Sequence, residues 1–279
     1  MNYLLLLFCI CSLNVSALSR SQTNTNTFNI TRNDKIMLMI VDVQNCFMPS
    51  GTLPVGDADQ IVPLINDIRS NFNFKLVVTS QDWHCHDHVS FASTHVGFPV
   101  FSEVNLKYTA DGLLCRDPST GTIGPHAYDC DANNVPVAHI IPQTLWPDHC
   151  VINTADAGFH ADLIRERKDV LIQKGNKCGI DSYSALYDNG GFTSTELPQI
   201  IENEKITAAI VVGLATDFCV SFTAKDMQTL SGLKTFIVED ATRYISSELV
   251  DVRKQELSAL GVQWIQSTDL VNLFENTRV

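Results

Sequence analysis

Basic side chains are scarce in this chain: 19 Lys and Arg stand against 31 Asp and Glu, a formal net charge of −12 over 279 residues. Such a surface repels phosphate backbones and anionic headgroups, so no nucleic acid and no membrane surface is expected as a partner. Long apolar runs are missing as well. Nothing after residue 20 approaches the roughly 20 apolar residues that a bilayer-spanning helix requires. Internal repeats are absent, and low complexity is confined to a polar stretch near the N terminus. What the chain does have is 45% hydrophobic residues with only 18% charged ones, enough for one sizeable core. One domain with long loops is the expectation.

The N terminus reads differently from the rest. Leu4 to Leu13 is a short apolar run with no Lys or Arg before it, followed by Asn14-Val15-Ser16-Ala17 with small residues where a signal peptidase inspects. Residues 1–17 are therefore expected to be a signal peptide, and the protein to be secreted. Residues 18–33 form a polar leader that carries the sequon Asn29-Ile30-Thr31, and the folded domain is expected over 34–279. Of nine cysteines, Cys9 and Cys11 fall in the signal. Cys46, Cys85, Cys115, Cys130, Cys150, Cys178 and Cys219 remain. In an oxidising compartment this odd set predicts three bridges and one free thiol. Cys115 and Cys130 bracket a loop rich in Gly, Pro, Ser and Asp, and are the expected pair.

Ile36 to Val43 is a continuous apolar run ending in polar residues, as suits a strand buried on both faces. Leu76 to Ser80, Val170 to Gln173, Ala208 to Gly213, Thr235 to Val238 and Val262 to Ile265 repeat the pattern. Amphipathic stretches lie between them: Ala58 to Ser70, Cys219 to Leu230 and Glu248 to Leu260. The alternation predicts an α/β fold, a mainly parallel central sheet flanked by helices on both faces, with ligands beyond the strands' C-terminal ends. The segment from about 104 to 140 shows no such periodicity and holds Pro118, Pro125 and Pro136. It reads as a loop insertion stapled by a disulfide, a candidate lid.

The chemistry-bearing residues cluster just after the strands. Asp42 ends the first. Asp82 and His84 lie two apart in TSQDWHCHDHVSF, so an extended backbone projects both from one face, a natural pair of metal ligands. A third ligand must come from elsewhere; LWPDHC offers His149, and His88 is the reserve. Lys174 directly follows an apolar strand. In VVGLATDFCV a buried strand turns and delivers Cys219 to a helix start, where dipole and free N–H groups lower a thiol pKa.

Together these segments resemble the nicotinamidases of the isochorismatase-like hydrolase superfamily. DVQNCF, DWHxxDHxSF, WPDHC, KGxxxxxDSYSA and GLATDFCV occur in the family's order, and the likeness runs from about Lys35 to Leu273. The resemblance implies the isochorismatase-like fold and a triad of Asp42, Lys174 and Cys219. It implies an oxyanion hole from the backbone N–H groups of Ala215 and Cys219, with a cis bond at Leu214–Ala215. It assigns one divalent ion to Asp82, His84 and His149. Zinc is favoured by the ligand types, and iron or manganese is compatible with them. Phe47, Trp146 and Tyr183 match positions that pack a substrate ring, with Gln44 as a hydrogen bonder near them. The implied reaction is hydrolysis of nicotinamide through a cysteine thioester. Related small amides, pyrazinamide-like or carbamoyl, are the alternative substrates, and a secreted binding protein without catalysis is the alternative of another class. Cys85 and Cys178, beside these motifs, are expected with Cys46 to form disulfides flanking the site.

Overall fold

The computed structural model describes residues 30–122, 124–229 and 233–275. The expected signal peptide, Asn29 of the sequon and the leader up to that residue lie outside the described residues. The end of the leader is described and is not loose: Ile30 is buried in the main core, and Thr31 N–H donates to Asp34 Oδ2.

Six strands form one parallel sheet: β1 (Ile36–Val41), β2 (Leu76–Asp82), β5 (Val170–Lys174), β6 (Ala208–Leu214), β7 (Lys234–Arg243) and β8 (Gln263–Ile265), in the order β5-β2-β1-β6-β7-β8. β1 and β6 are buried along their whole lengths, which explains their unbroken apolar sequences. The chain builds leftward from β1 to β2 and β5, then returns past β1 to build rightward through β6, β7 and β8. With right-handed crossovers, that reversal puts α1 (Ile61–Asn71) on one face and α3 (Ser221–Thr229) and α4 (Ser247–Ala259) on the other. It also makes the β1–β6 boundary the topological switch point, beyond which an open sheet leaves a crevice.

The expected elements are present with shifted ends. β1 stops at Val41 because Asp42 adopts a left-handed conformation, φ 48°. Helix α1 buries Ile61, Ile65 and Ile68 at helical spacing and is entered through a short turn, Ala58–Gln60. Two further helices, α2 (Leu197–Glu204) and α5 (Asp269–Glu275), lie where no helix was expected; each is only about two turns long. Their apolar periodicity is correspondingly short.

The expected insertion is stapled by Cys115–Cys130 and also contains a hairpin that its lack of periodicity did not announce. β3 (Glu103–Tyr108) and β4 (His139–Thr144) pair antiparallel with Glu103 opposite Thr144 and Tyr108 opposite His139. Val104, Leu106 and Tyr108 point inward on alternate residues, a period-2 signal concealed by the prolines farther along. They pack with Val89, Leu114, Leu145 and Ile180 into a second, smaller core. The insertion is thus seated on the scaffold through its own apolar cluster.

Three disulfides are present among the described residues: Cys46–Cys150, Cys85–Cys178 and Cys115–Cys130, with Cys219 free. The first closes a span of 104 residues and the last a span of 15. In the chain-entropy account these correspond to about 4.7 and about 3 kcal/mol of constraint on the unfolded chain.

Where β1 and β6 pair, Val41 lies opposite Gly213, and a Cβ on Gly213 would meet Val41 O at 2.1 Å. Gly213 also sits at φ +115°, a conformation L side chains rarely adopt. Replacement by alanine must therefore open the strand pair beneath the switch point. Gly213→Ala is expected to lower stability by about 3 kcal/mol, at the top of the overpacking range, in urea denaturation; a change within 0.5 kcal/mol, roughly the level of a surface substitution, would refute the close-approach account.

Candidate active site

The β1 and β6 ends deliver opposite sides of one cluster. Asp42 leaves β1, accepts a hydrogen bond from Ser80 Oγ on β2 at 2.6 Å, and is fully buried. On the other side, β6 runs through a cis Leu214–Ala215 bond into a π turn, Thr216–Val220, which carries Cys219 before α3 begins. Cys219 therefore sits on the turn that feeds the helix, two residues ahead of Ser221. Asp217 anchors this turn, accepting from the backbone N–H groups of Ile245 and Ser246 at 3.1 and 2.8 Å. The Ala215 carbonyl accepts from Phe218 N–H and Val220 N–H, both at 3.1 Å.

Lys174, at the end of β5, bridges the cluster. Its Nζ lies 2.9 Å from Asp42 Oδ2, 2.5 Å from Asp82 Oδ1, 3.3 Å from Cys219 Sγ and 3.1 Å from the Ser182 carbonyl. The side chains of Lys174 and Asp42 are wholly buried. The reactive atoms of Asp42, Asp82 and Cys219 all lie within 4.8 Å of one another. Burial disfavours the Lys174 charge, yet Asp42 and Asp82 beside it raise its pKa well above the usual lysine value. Burial also pushes Asp42 up, against the pull of Lys174.

One expectation is corrected here. The position at a helix start was expected to depress the Cys219 thiol, but burial raises it well above the ordinary value, and the neighbouring Asp42 and Asp82 charges add to that. The Lys174 pull is the smaller effect. Its sulfur lies within 4.8 Å of a carboxylate oxygen of Asp42, a group able to take its proton.

Asp82 divides its two oxygens. Oδ1 meets Lys174, while Oδ2 faces His84 Nε2 at 3.6 Å and His149 Nε2 at 3.8 Å. His84 Nδ1 is bonded to the Gly175 carbonyl at 2.9 Å and His149 Nδ1 to the Pro147 carbonyl at 2.8 Å. A carbonyl can only accept, so each Nδ1 carries a proton, which leaves Nε2 as the ring nitrogen on the Asp82 side, the one able to ligate an ion there. One carboxylate and two imidazoles with their tautomers fixed in this way fit a divalent ion. Burial holds Asp82 less strongly than Lys174 and His84 oppose it, so its carboxyl stays well below the carboxylate range. Burial and the charge of His84 bring His149 down to about 3.

His88 stacks on His84 with ring centroids 4.1 Å apart, and its Nδ1 is bonded to Ser90 Oγ at 2.7 Å. Its Nε2 is buried without a hydrogen-bond partner. His84, His88 and Asp181 form a second set of ligand atoms within 4.8 Å of one another.

Aromatic rings wall the cluster. Phe47 lies 5.7 Å from the His149 ring, and Trp146 Nε1 donates to Tyr183 OH at 3.3 Å. Phe218, next to Cys219, meets Trp146 edge-on at 4.8 Å and Tyr183 at 5.3 Å. Gln44 has a different occupation from the other residues expected near a ring. Its amide donates to the Asp82 and Ala157 carbonyls at 2.9 Å each and accepts from Asp82 N–H at 2.8 Å. Both donor hydrogens are thereby used on backbone, and Gln44 positions the end of β2.

Gly175, Ser80, Asp217 and Phe218 belong to the site architecture and were not singled out from the sequence. For Gly175 a signal existed in its place directly after Lys174. A Cβ there would lie 2.5 Å from His84 Cε1, so only glycine lets the imidazole approach β5.

The isochorismatase domain family matches residues 126–269, and the chain belongs to the isochorismatase family. Within it, the chain is 37% identical over 235 residues to the nicotinamidase of Acinetobacter baylyi, covering 84% of this chain and 94% of that one. A solved structure titled nicotinamidase pyrazinamidease, from Acinetobacter baumanii, is 36% identical with a TM-score of 0.69, covering 85% of this chain and 98% of that chain. A pyrazinamidase of Pyrococcus horikoshii solved in complex with zinc is 26% identical, with a TM-score of 0.59 over 83% of this chain and 99% of that one.

If the Asp82, His84 and His149 set holds a divalent ion, Gly175→Ala is expected to displace His84 and weaken binding of added Zn2+ by about 10- to 100-fold in calorimetric titration, the range for disturbing a ligand's support. Unchanged affinity would show that the His84 ring does not depend on this gap.

Proposed function

We propose that this protein is a nicotinamidase, hydrolysing nicotinamide to nicotinate and ammonia. The observation that carries the reading is the convergence of Asp42, Cys219 and Asp82 on the single buried ammonium of Lys174. Amidohydrolase relatives across most of the chain support the reaction class.

In this reading Cys219 Sγ attacks the carboxamide carbon while Asp42 accepts the thiol proton, the sulfur's high resting pKa making a neighbouring base necessary. Asp42 then gives that proton to the departing ammonia, leaving a thioester. Water cleaves the thioester, releasing the acid and restoring the thiol. Lys174 favours the ionised form of Asp42 and stabilises charge on the sulfur, and the backbone N–H groups of Ala215 and Cys219 receive the developing oxyanion. Asp82, His84 and His149 would hold a divalent ion, zinc by the chemistry of the donors. Bound there, it would supply a Lewis-acidic position for the pyridine nitrogen. Phe47, Trp146, Tyr183 and Phe218 would confine the ring.

Three disulfides support passage through an oxidising compartment, in keeping with the proposed secretion.

The reading is tested by ammonia release from nicotinamide, with pyrazinamide as the comparison substrate. Cys219→Ala is expected to cut kcat by at least about 10³-fold, as removal of a nucleophile does elsewhere. Full activity in that variant would end the thioester mechanism. Removal of bound metal by a chelator is expected to abolish turnover and added Zn2+ to restore it; turnover that persists in metal-free protein would remove the ion from the proposal.

A further inference from the structure

Away from the catalytic cluster, a second set of potential ligands gathers where the insertion meets the sheet. Cys85 and Asp87 follow β2, Cys178 follows β5, and His126 belongs to the insertion. One ligand atom from each of the four lies within 4.8 Å of every other. Cys85 and Cys178 are joined as a disulfide, and His126 Nε2 lies 2.9 Å from Asp87 Oδ1. Cys85 and Asp87 stand two apart on one tight turn, closed by His88 N–H donating to the Cys85 carbonyl at 3.2 Å, so one short segment presents both.

We infer that Cys85, Cys178, His126 and Asp87 form a second, structural zinc site when the disulfide is reduced. Two thiolates, an imidazole and a carboxylate are a complete tetrahedral donor set for zinc, with no position left open for a substrate. The His126 and Asp87 side chains are 34% and 44% exposed, so metal and reductant reach the cluster from solvent. The two chemical states differ in what they join. The disulfide ties the loop after β2 to the loop after β5. The zinc form adds His126, and so fastens the insertion directly to the scaffold. The conversion balances simply. A phosphine reductant with one water passes two electrons to the disulfide and becomes the phosphine oxide, leaving two thiols. Each thiol then releases its proton to solvent as its sulfur binds the cation.

The test uses the full chain, reduced with a phosphine, freed of metal and titrated with Co2+ and then Zn2+. The reduced protein is expected to bind one more equivalent than the oxidised protein. That added equivalent should show sulfur-to-cobalt charge-transfer absorption, which the donors of Asp82, His84 and His149 cannot produce. Cys178→Ser should abolish both the equivalent and the band. His126→Ala should weaken it by at least about tenfold, and Asp82→Asn should leave the band in place. His126→Ala and Asp87→Asn alter partly exposed side chains, and they decide the matter if Cys178→Ser does not fold. No additional equivalent on reduction overturns the inference. So does a band that survives the double variant Cys85→Ser/Cys178→Ser, because its sulfur would then come from another of the reduced cysteines.

Discussion

A single ammonium group organises this molecule's interior. Lys174 is 1% exposed, and the desolvation cost of burying such a charge is several kcal/mol. It is offset only because two carboxylates, a carbonyl and a thiol surround Nζ within 3.3 Å. The same arrangement makes the carboxylates possible: without Lys174, Asp42 and Asp82 would confront each other in a medium of low dielectric constant. Asp82 then has one oxygen neutralised and the other left to face His84 and His149. The thiol-bearing half of the site and its imidazole-bearing half are joined through this carboxylate, so neither can be altered electrostatically without the other responding.

The fold places that ammonium at the reversal of strand order. Asp42 leaves β1, Cys219 follows β6, and Lys174 and Asp82 end the adjoining pair β5 and β2. Parallel strands point their C-terminal ends the same way, so residues far apart in the chain arrive together once the sheet forms. The backbone is held in unusual conformations at this rim. Asp42 and Cys150 have φ of 48° and 47°, each a conformation costing on the order of 1–3 kcal/mol in a non-glycine residue.

Much of this was legible because buried strands write long apolar runs and the functional groups directly follow them. IMLMIV before Asp42 and AAIVVGL before the Cys219 turn are the clearest cases. Adjacency in space was legible only through motif resemblance, since no periodicity tells which strand neighbours which. The hairpin of the insertion escaped notice because its alternation spans just six residues and a proline-containing loop follows it. The direction of the Cys219 shift was misread for a different reason. Helix-end and lysine effects can be anticipated from sequence, whereas desolvation depends on how many other segments close over the sulfur, and that is a property of the completed fold. Gln44 was expected as a hydrogen bonder beside the ring positions, and only the fold shows that its partners are backbone groups of Asp82 and Ala157.

The bond between Cys46 and Cys150 reaches further than its contribution to stability. Cys46 neighbours Phe47, and Cys150 neighbours His149, so one covalent link locks an aromatic wall to an imidazole of the cation cluster. Tyr183 and Phe218, on the other side, are held by packing and hydrogen bonds. The walls of the cluster are therefore tied differently, one by a covalent bond next to Phe47 and His149 and the other by non-covalent contacts alone.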